Sequence, residues 1–188
     1  MAFDLILRNA RIAGSTPDTP LIDIAVQGKT IAAVQPALEA EGKEWGMGGR
    51  LVSPGLIETH IHLDKSRIMD RCAAAPDRGM DHMARVSVVK PSFTQEDVYA
   101  RAKETVEQCL VNGATHMRTH VELDPNGGLR GFEALKQLAA DYSWAIDIEL
   151  CVFAQEGLTN VPETDANMVA ALKNGATVVG GAPGYDPD

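Results

Sequence analysis

Two histidines, His60 and His62, stand one residue apart at the end of the apolar run LVSPGLIETHIHLDKS, residues 51–66. The whole chain has only five histidines in 188 residues. Side chains alternate faces along a β-strand, so Glu58, His60 and His62 point one way and Ile57, Thr59 and Ile61 the other. Two imidazoles on one strand face can both reach a single ion of the zinc or iron type. The same spacing also fits an incidental pair on a solvated strand, because histidine is common at surfaces. A second stretch, ATHMRTHV at 114–121, sets His116, Arg118 and His120 on one strand face. His120, nearest the C-terminal end, is the pocket candidate. Arg118 can bridge to acids, and His116 and Arg118 equally fit a polar network that only supports the fold. Gln155, in VFAQEGL, carries one acceptor and two donors. It can read the C=O/N–H edge of a ring amide, or be a solvated loop residue. Lys65, Arg67, Asp70 and Arg71 follow the histidine pair; they contact a substrate or are solvated, with Lys65 the best placed for contact. His82 reads as an exposed loop residue.

The elements that position these residues fall into two patterns. Residues 1–52 give short β-like runs, FDLILRNARIAG, LIDIAVQG and KTIAAVQPAL, with a hairpin expected at Gly28-Lys29. Residues 53–188 alternate strand and helix. Strands are expected at Leu56–His62, Thr115–Val121, Trp144–Phe153 and Ala176–Gly180. Helices are expected at Gln95–Asn112, capped by Thr94, at Leu129–Asp141, and at Pro162–Asn174 with proline at its start. The segment from Asp64 to Phe93 lacks regular periodicity and reads as a long loop overhanging the histidine pair, of the kind that often serves as a lid. Asn-Gly-Ala-Thr occurs at 112–115 and again at 174–177, each time where a helix ends and a strand begins. This is αβ-loop chemistry, with glycine just after the helix. Strands separated by helices pair in parallel with right-handed crossovers. An eight-stranded βα barrel takes roughly 250 residues. The about 136 residues after Val52 therefore suit about half a barrel, and the expected fold is α/β: the first half of a (β/α)8 TIM-type barrel behind a small β-sandwich module, truncated after about strand 4.

Composition narrows the partners. The net charge of −9 argues against nucleic acid, which wants a basic patch, and 45% hydrophobic residues suffice for a core. No apolar stretch approaches the roughly 20 residues of a membrane span, and MAFDLILRNARIAG does not read as a secretory signal. Cys72, Cys109 and Cys151 are odd in number, with no CxxC pair, so a reduced cytoplasmic protein is expected.

The three stretches together resemble the amidohydrolase superfamily, in its cytosine deaminase-like branch. In that family an N-terminal β module precedes strand one, a Pro-Gly turn introduces the strand and the HxH ligands end it. SPGLIETHIHLD has these features in order. Leu63-Asp64-Lys65 resembles the HLDK that follows the pair, RTHV resembles the family's second strand, and VFAQEGL resembles the stretch where a glutamine contacts the ring. The resemblance implies His60 and His62 as ligands of one divalent metal ion, zinc or iron, and a substrate contact from Gln155. By position, His120 and Lys65 join it as substrate-binding candidates.

The implied chemistry is hydrolysis of a C–N bond in a small nitrogen heterocycle, cytosine-like or triazine-like, by metal-activated water. In the family a third histidine and a glutamate come from strand five, another histidine from strand six and an aspartate from strand eight. No catalytic proton-transfer residue is therefore assigned within these 188 residues, and the chain by itself is expected to be an inactive fragment. Strand four, ATVVGGAP, lacks the lysine with which two-metal dihydroorotases and hydantoinases bridge their ions, which favours one metal; a binuclear cyclic-amide hydrolase is the alternative within the superfamily. Outside it, the alternative is an inactive half-barrel that self-associates. A homo-oligomer, or association with the missing half, is expected.

Overall fold

The computed structural model describes residues 2–73 and 82–186. It divides into two compact units, residues 1–54 and 55–188. In the first, β1 (Ala2–Ala10), β2 (Ile22–Gln27), β3 (Thr30–Gln35) and β4 (Glu41–Gly46) form one sheet in the order β3-β2-β1-β4. β2 and β3 are joined by the tight turn at Gly28-Lys29, with Gln27 opposite Thr30. Ile6, Ala10, Ile24 and Ala25 are its buried apolar residues.

The second unit holds a parallel sheet in the order β5-β6-β7-β8: β5 (Leu56–Ile61), β6 (Ala114–Glu122), β7 (Asp147–Ala154) and β8 (Val178–Gly181). Helices connect the strands: α3 (Gln95–Val111) between β5 and β6, α4 (Arg130–Asp141) between β6 and β7, and α5 (Thr164–Lys173) between β7 and β8. Four parallel strands with crossover helices amount to half of an eight-stranded βα barrel. Thr94 caps α3 by accepting from the Asp97 backbone N–H at 3.2 Å. Gly113 and Gly175, just after α3 and α5, have φ of +91° and +115°, which explains the repeated Asn-Gly pair.

One face of the central strands β6 and β7 packs on the helices. Met117 and Val121 of β6 and Val152 of β7 meet Val98, Ala102 and Val106 of α3 and Phe132, Leu135 and Leu138 of α4 in one buried cluster. The opposite face is the polar one that carries the site.

The segment between β5 and α3 differs from expectation. It holds α1 (Met69–Ala73), α2 (His82–Val89) and a 3-10 turn at Lys90–Ser92. These elements are shorter than the window in which an apolar stripe declares itself, and Pro76 and Gly79 between them read as loop punctuation. The side chain of His82, which opens α2, lies outside the described residues. β7 also starts three residues later than expected: Trp144 is 81% exposed in the turn before it. α5 starts at Thr164, with Pro162 in the preceding turn, where its carbonyl accepts from the Asp165 N–H.

Candidate functional site

His60 lies near the C-terminal end of β5, and His62 one residue past its last strand residue. The β5–β6 register shifts between Glu58 and Ile61, which face Met117 and Thr119. Three residue steps on β5 thus match two on β6, a bulge that re-aims the side chains it carries. The Glu58 carboxylate accepts from the His60 backbone N–H at 3.0 Å within this irregularity.

The two Nε2 atoms stand 3.3 Å apart. Two nitrogens each about 2.0–2.1 Å from one tetrahedral ion lie about 3.3–3.4 Å from each other. The same separation fits a hydrogen bond between the two rings, with donor and acceptor set by the tautomers; the pair is compatible with shared coordination. Burial first, then the charges of Lys65, His120 and His60, pushes the His62 imidazole down to about 4, which leaves it neutral and able to ligate at pH 7. The donor set is incomplete: among the described residues no group of three or more His, Cys, Asp or Glu side chains is placed to hold a metal.

The structure brings His120 to the same place. Its ring stacks on His60 with centroids 4.0 Å apart and planes 24° from parallel, and lies 5.5 Å from His62. Stacked rings direct their in-plane lone pairs side by side and not at one point, so His120 is a wall of the site and not a third ligand. Phe153 of β7 closes that wall, 5.5 Å from His62 and 6.1 Å from His120. The Nδ1 atoms of His62 and His120 are buried, with the backbone of His120 and of Ile61 respectively as the nearby polar groups.

The other expected residues separate. Gln155 is half-buried in the turn after β7, at the same rim. The Lys65 ammonium is held by Glu122 at 3.1 Å and lies 5.7 Å from the centre of the Phe153 ring, with the side chain 12% exposed. Arg67 and Arg71 turn away: Arg67 pairs with Glu104 at 3.3 Å, and Arg71 makes two bonds to Asp97 at 2.9 and 2.5 Å. Both partners belong to α3; Arg71 is carried there by α1 and Arg67 by the turn before it, where its φ is +56°. His116 and Arg118 share the polar face with His120 but stand nearer the other end of the strands, paired with Asp147 at 3.3 Å and Glu149 at 2.5 Å. A cavity of about 830 Å³ opens at that end, lined by Ile57, Glu58, Arg118, Glu149 and Thr177 among others. It lies at the N-terminal ends of the strands, the end that serves stability in βα barrels, so size does not make it the reactive site.

One cluster has no counterpart among the residues singled out in sequence. Lys90 Nζ lies 2.6 Å from Glu156 Oε1, 2.9 Å from Asp124 Oδ2 and 3.6 Å from Glu122 Oε2, and Glu122 also holds Lys65. Burial pushes the Lys90 ammonium down, but Glu122, Glu156 and Asp124 more than offset this and the net direction is up. Asp64 completes the group; its carboxyl is pushed up to about 6 by burial and by the charge of Glu122. The sequence signal was indirect: acidic residues at or just past the ends of β5, β6 and β7, with Lys90 far along the chain from each.

No model of a known protein family matches the chain. The N-isopropylammelide isopropyl amidohydrolase of Pseudomonas sp. (strain ADP) is 30% identical over 193 residues, covering 95% of this chain and 45% of the relative. The crystal structure of 5-methylcytosine deaminase from Klebsiella pneumoniae, liganded with 5-fluorocytosine, superposes with a TM-score of 0.82 at 29% identity, covering 97% of this chain and 44% of that one. An atrazine chlorohydrolase from Arthrobacter aurescens, complexed with zinc, shares the fold at a TM-score of 0.56, 18% identity, 85% of this chain and 37% of its own. The chain thus spans less than half the length of the relatives it matches. Among the described residues, no helix is long and apolar enough to cross a membrane. A histidine pair at the strand ends of a parallel half-barrel, together with these matches along nearly its whole length, makes the chain a member of the amidohydrolase superfamily.

Proposed function

We propose that this chain supplies one part of the active site of a metal-dependent hydrolase that breaks a C–N bond in a small nitrogen heterocycle, cytosine-like or triazine-like. The observation that carries the reading is the 3.3 Å separation of the His60 and His62 Nε2 atoms at the C-terminal ends of the strands. Residues 1–52 form an N-terminal β module and residues 53–188 the first half of the barrel domain. His60 and His62 would hold one divalent ion, zinc or iron. When bound, such an ion is a Lewis acid that makes water nucleophilic near neutral pH.

The chain's own residues bind and orient. His120 and Phe153, their rings at 79° to one another, form an aromatic corner in which a planar ring can stack on one and meet the other edge-on. Gln155, at the same rim, presents an amide that can donate to a ring carbonyl and accept from a ring N–H. Lys65 reaches the wall from the side, its charge balanced by Glu122, and can turn toward an electron-rich substituent. The proton-transfer groups would come from barrel strands beyond β8. β5 and β8 are the outer strands of the sheet, and their unpaired edges suit pairing with that remainder or with a second copy.

The test is release of ammonia or amine from cytosine, 5-methylcytosine and N-isopropylammelide. We expect none from the 188-residue chain and turnover when it is joined to the remainder of the barrel, lost again in His60→Ala. Turnover that survives His60→Ala and His62→Ala contradicts the reading.

A further inference from the structure

The last ladder pair of β5 sets Ile61 opposite Thr119, so His62 stands just beyond the regular sheet. Two side chains take over where the ladder stops. Thr119 Oγ1 accepts from the backbone N–H of Leu63 at 3.0 Å, and the Asp64 carboxylate reaches across to accept from the backbone N–H of Glu122 at 2.8 Å. Thr119 is 0% exposed and Asp64 6% exposed. Thr119 points away from the polar face, into an otherwise apolar core, where a hydroxyl is costly unless it is hydrogen-bonded. Valine would fill the same volume without that cost, so the hydroxyl is there for the Leu63 N–H.

We infer that Thr119 is a positioning residue for His62: its hydroxyl replaces the missing ladder bond and fixes the backbone just after the bulge. The imidazole is thereby held with its Nε2 3.3 Å from that of His60. The clasp stands on the hydrogen bond; its consequence for a metal rests on the proposed role of the histidine pair.

The variants Thr119→Val and Thr119→Ser of the whole chain test it, with Thr119→Ala serving should the valine variant not fold. Two readouts need no metal: hydrogen exchange of the Leu63 amide and the ¹⁵N shifts of the His62 imidazole. Removing the hydroxyl is expected to speed Leu63 exchange and move the His62 shifts, and serine to restore both. Zinc affinity, read by competition with a chelator, is expected to fall about 10- to 100-fold without the hydroxyl and to recover with serine. Unchanged Leu63 exchange and His62 shifts without the hydroxyl, or no recovery with serine, overturn the inference. If zinc binding is absent, or indifferent to His60→Ala, the metal reading fails while exchange and ring shifts still decide the clasp.

Discussion

Lys90 Nζ lies 2.6 Å from Glu156 Oε1, although the two residues are 66 positions apart in the chain. The contact ties the segment after β5 to the loop after β7, and the same ammonium reaches Glu122, the last residue of β6, and Asp124 just after it. One buried cation therefore fastens three segments of the rim. Lys90→Met leaves three carboxylates around an apolar group. It is expected to lower unfolding stability by about 3–5 kcal/mol, the cost of removing one partner from a buried pair. Urea denaturation measures this, and a loss below about 0.5 kcal/mol would show that the cluster is solvated.

Gly180 faces the aromatic wall from β8. A Cβ there would lie 3.2 Å from Phe153 Cβ and 3.3 Å from Cys151 Sγ, with His120 Cδ2 at 4.0 Å. Gly180→Ala should thus destabilise by about 1–3 kcal/mol through overpacking and shift the His120 ring resonances. Alanine at the neighbouring, exposed Val179 serves as the control and should change stability by about 0.5 kcal/mol or less.

Asp97 links α1 to the rim. It holds Arg71 and also Arg101, whose guanidinium donates to the carbonyls of Ser66 and Asp64 at 2.5 and 3.1 Å. The Arg71 guanidinium, with Arg101, keeps the Asp97 carboxyl at about 2, against a smaller opposing effect of burial. The folded value is depressed, so the stabilisation is complete above the ordinary carboxylate range and is lost as pH falls from about 4 to about 2. At 23% side-chain exposure, solvent screening limits it to about 1 kcal/mol. The stability of Asp97→Asn relative to wild type should thus improve between pH 4 and pH 2; a constant difference would refute the assignment.

Alternation and spacing carried much of this structure. The bounds of α3, the Thr94 cap and the parallel strands follow from apolar period and capping chemistry, and those of β6 and α4 fall within one residue of the pattern. His60, His62 and His120 were legible because strand alternation puts them on one face and chain order puts them at one end. Lys90, Glu122 and Asp124 were not legible. Each is an ordinary charged residue in sequence, and only tertiary packing of the segments around the strand ends brings them together. The α1 and α2 helices escaped for a different reason, being too short for a 3.6-residue period to declare itself against nearby Pro76 and Gly79.

Zinc binding by the chain and its histidine variants tests the central claim most directly. The His60–His62 geometry predicts that the chain takes up zinc, that His60→Ala and His62→Ala each abolish or sharply weaken uptake, and that His116→Ala, whose ring pairs with Asp147 at 3.3 Å, leaves it unchanged. Equal zinc affinity in wild type, His60→Ala and His62→Ala would contradict the account.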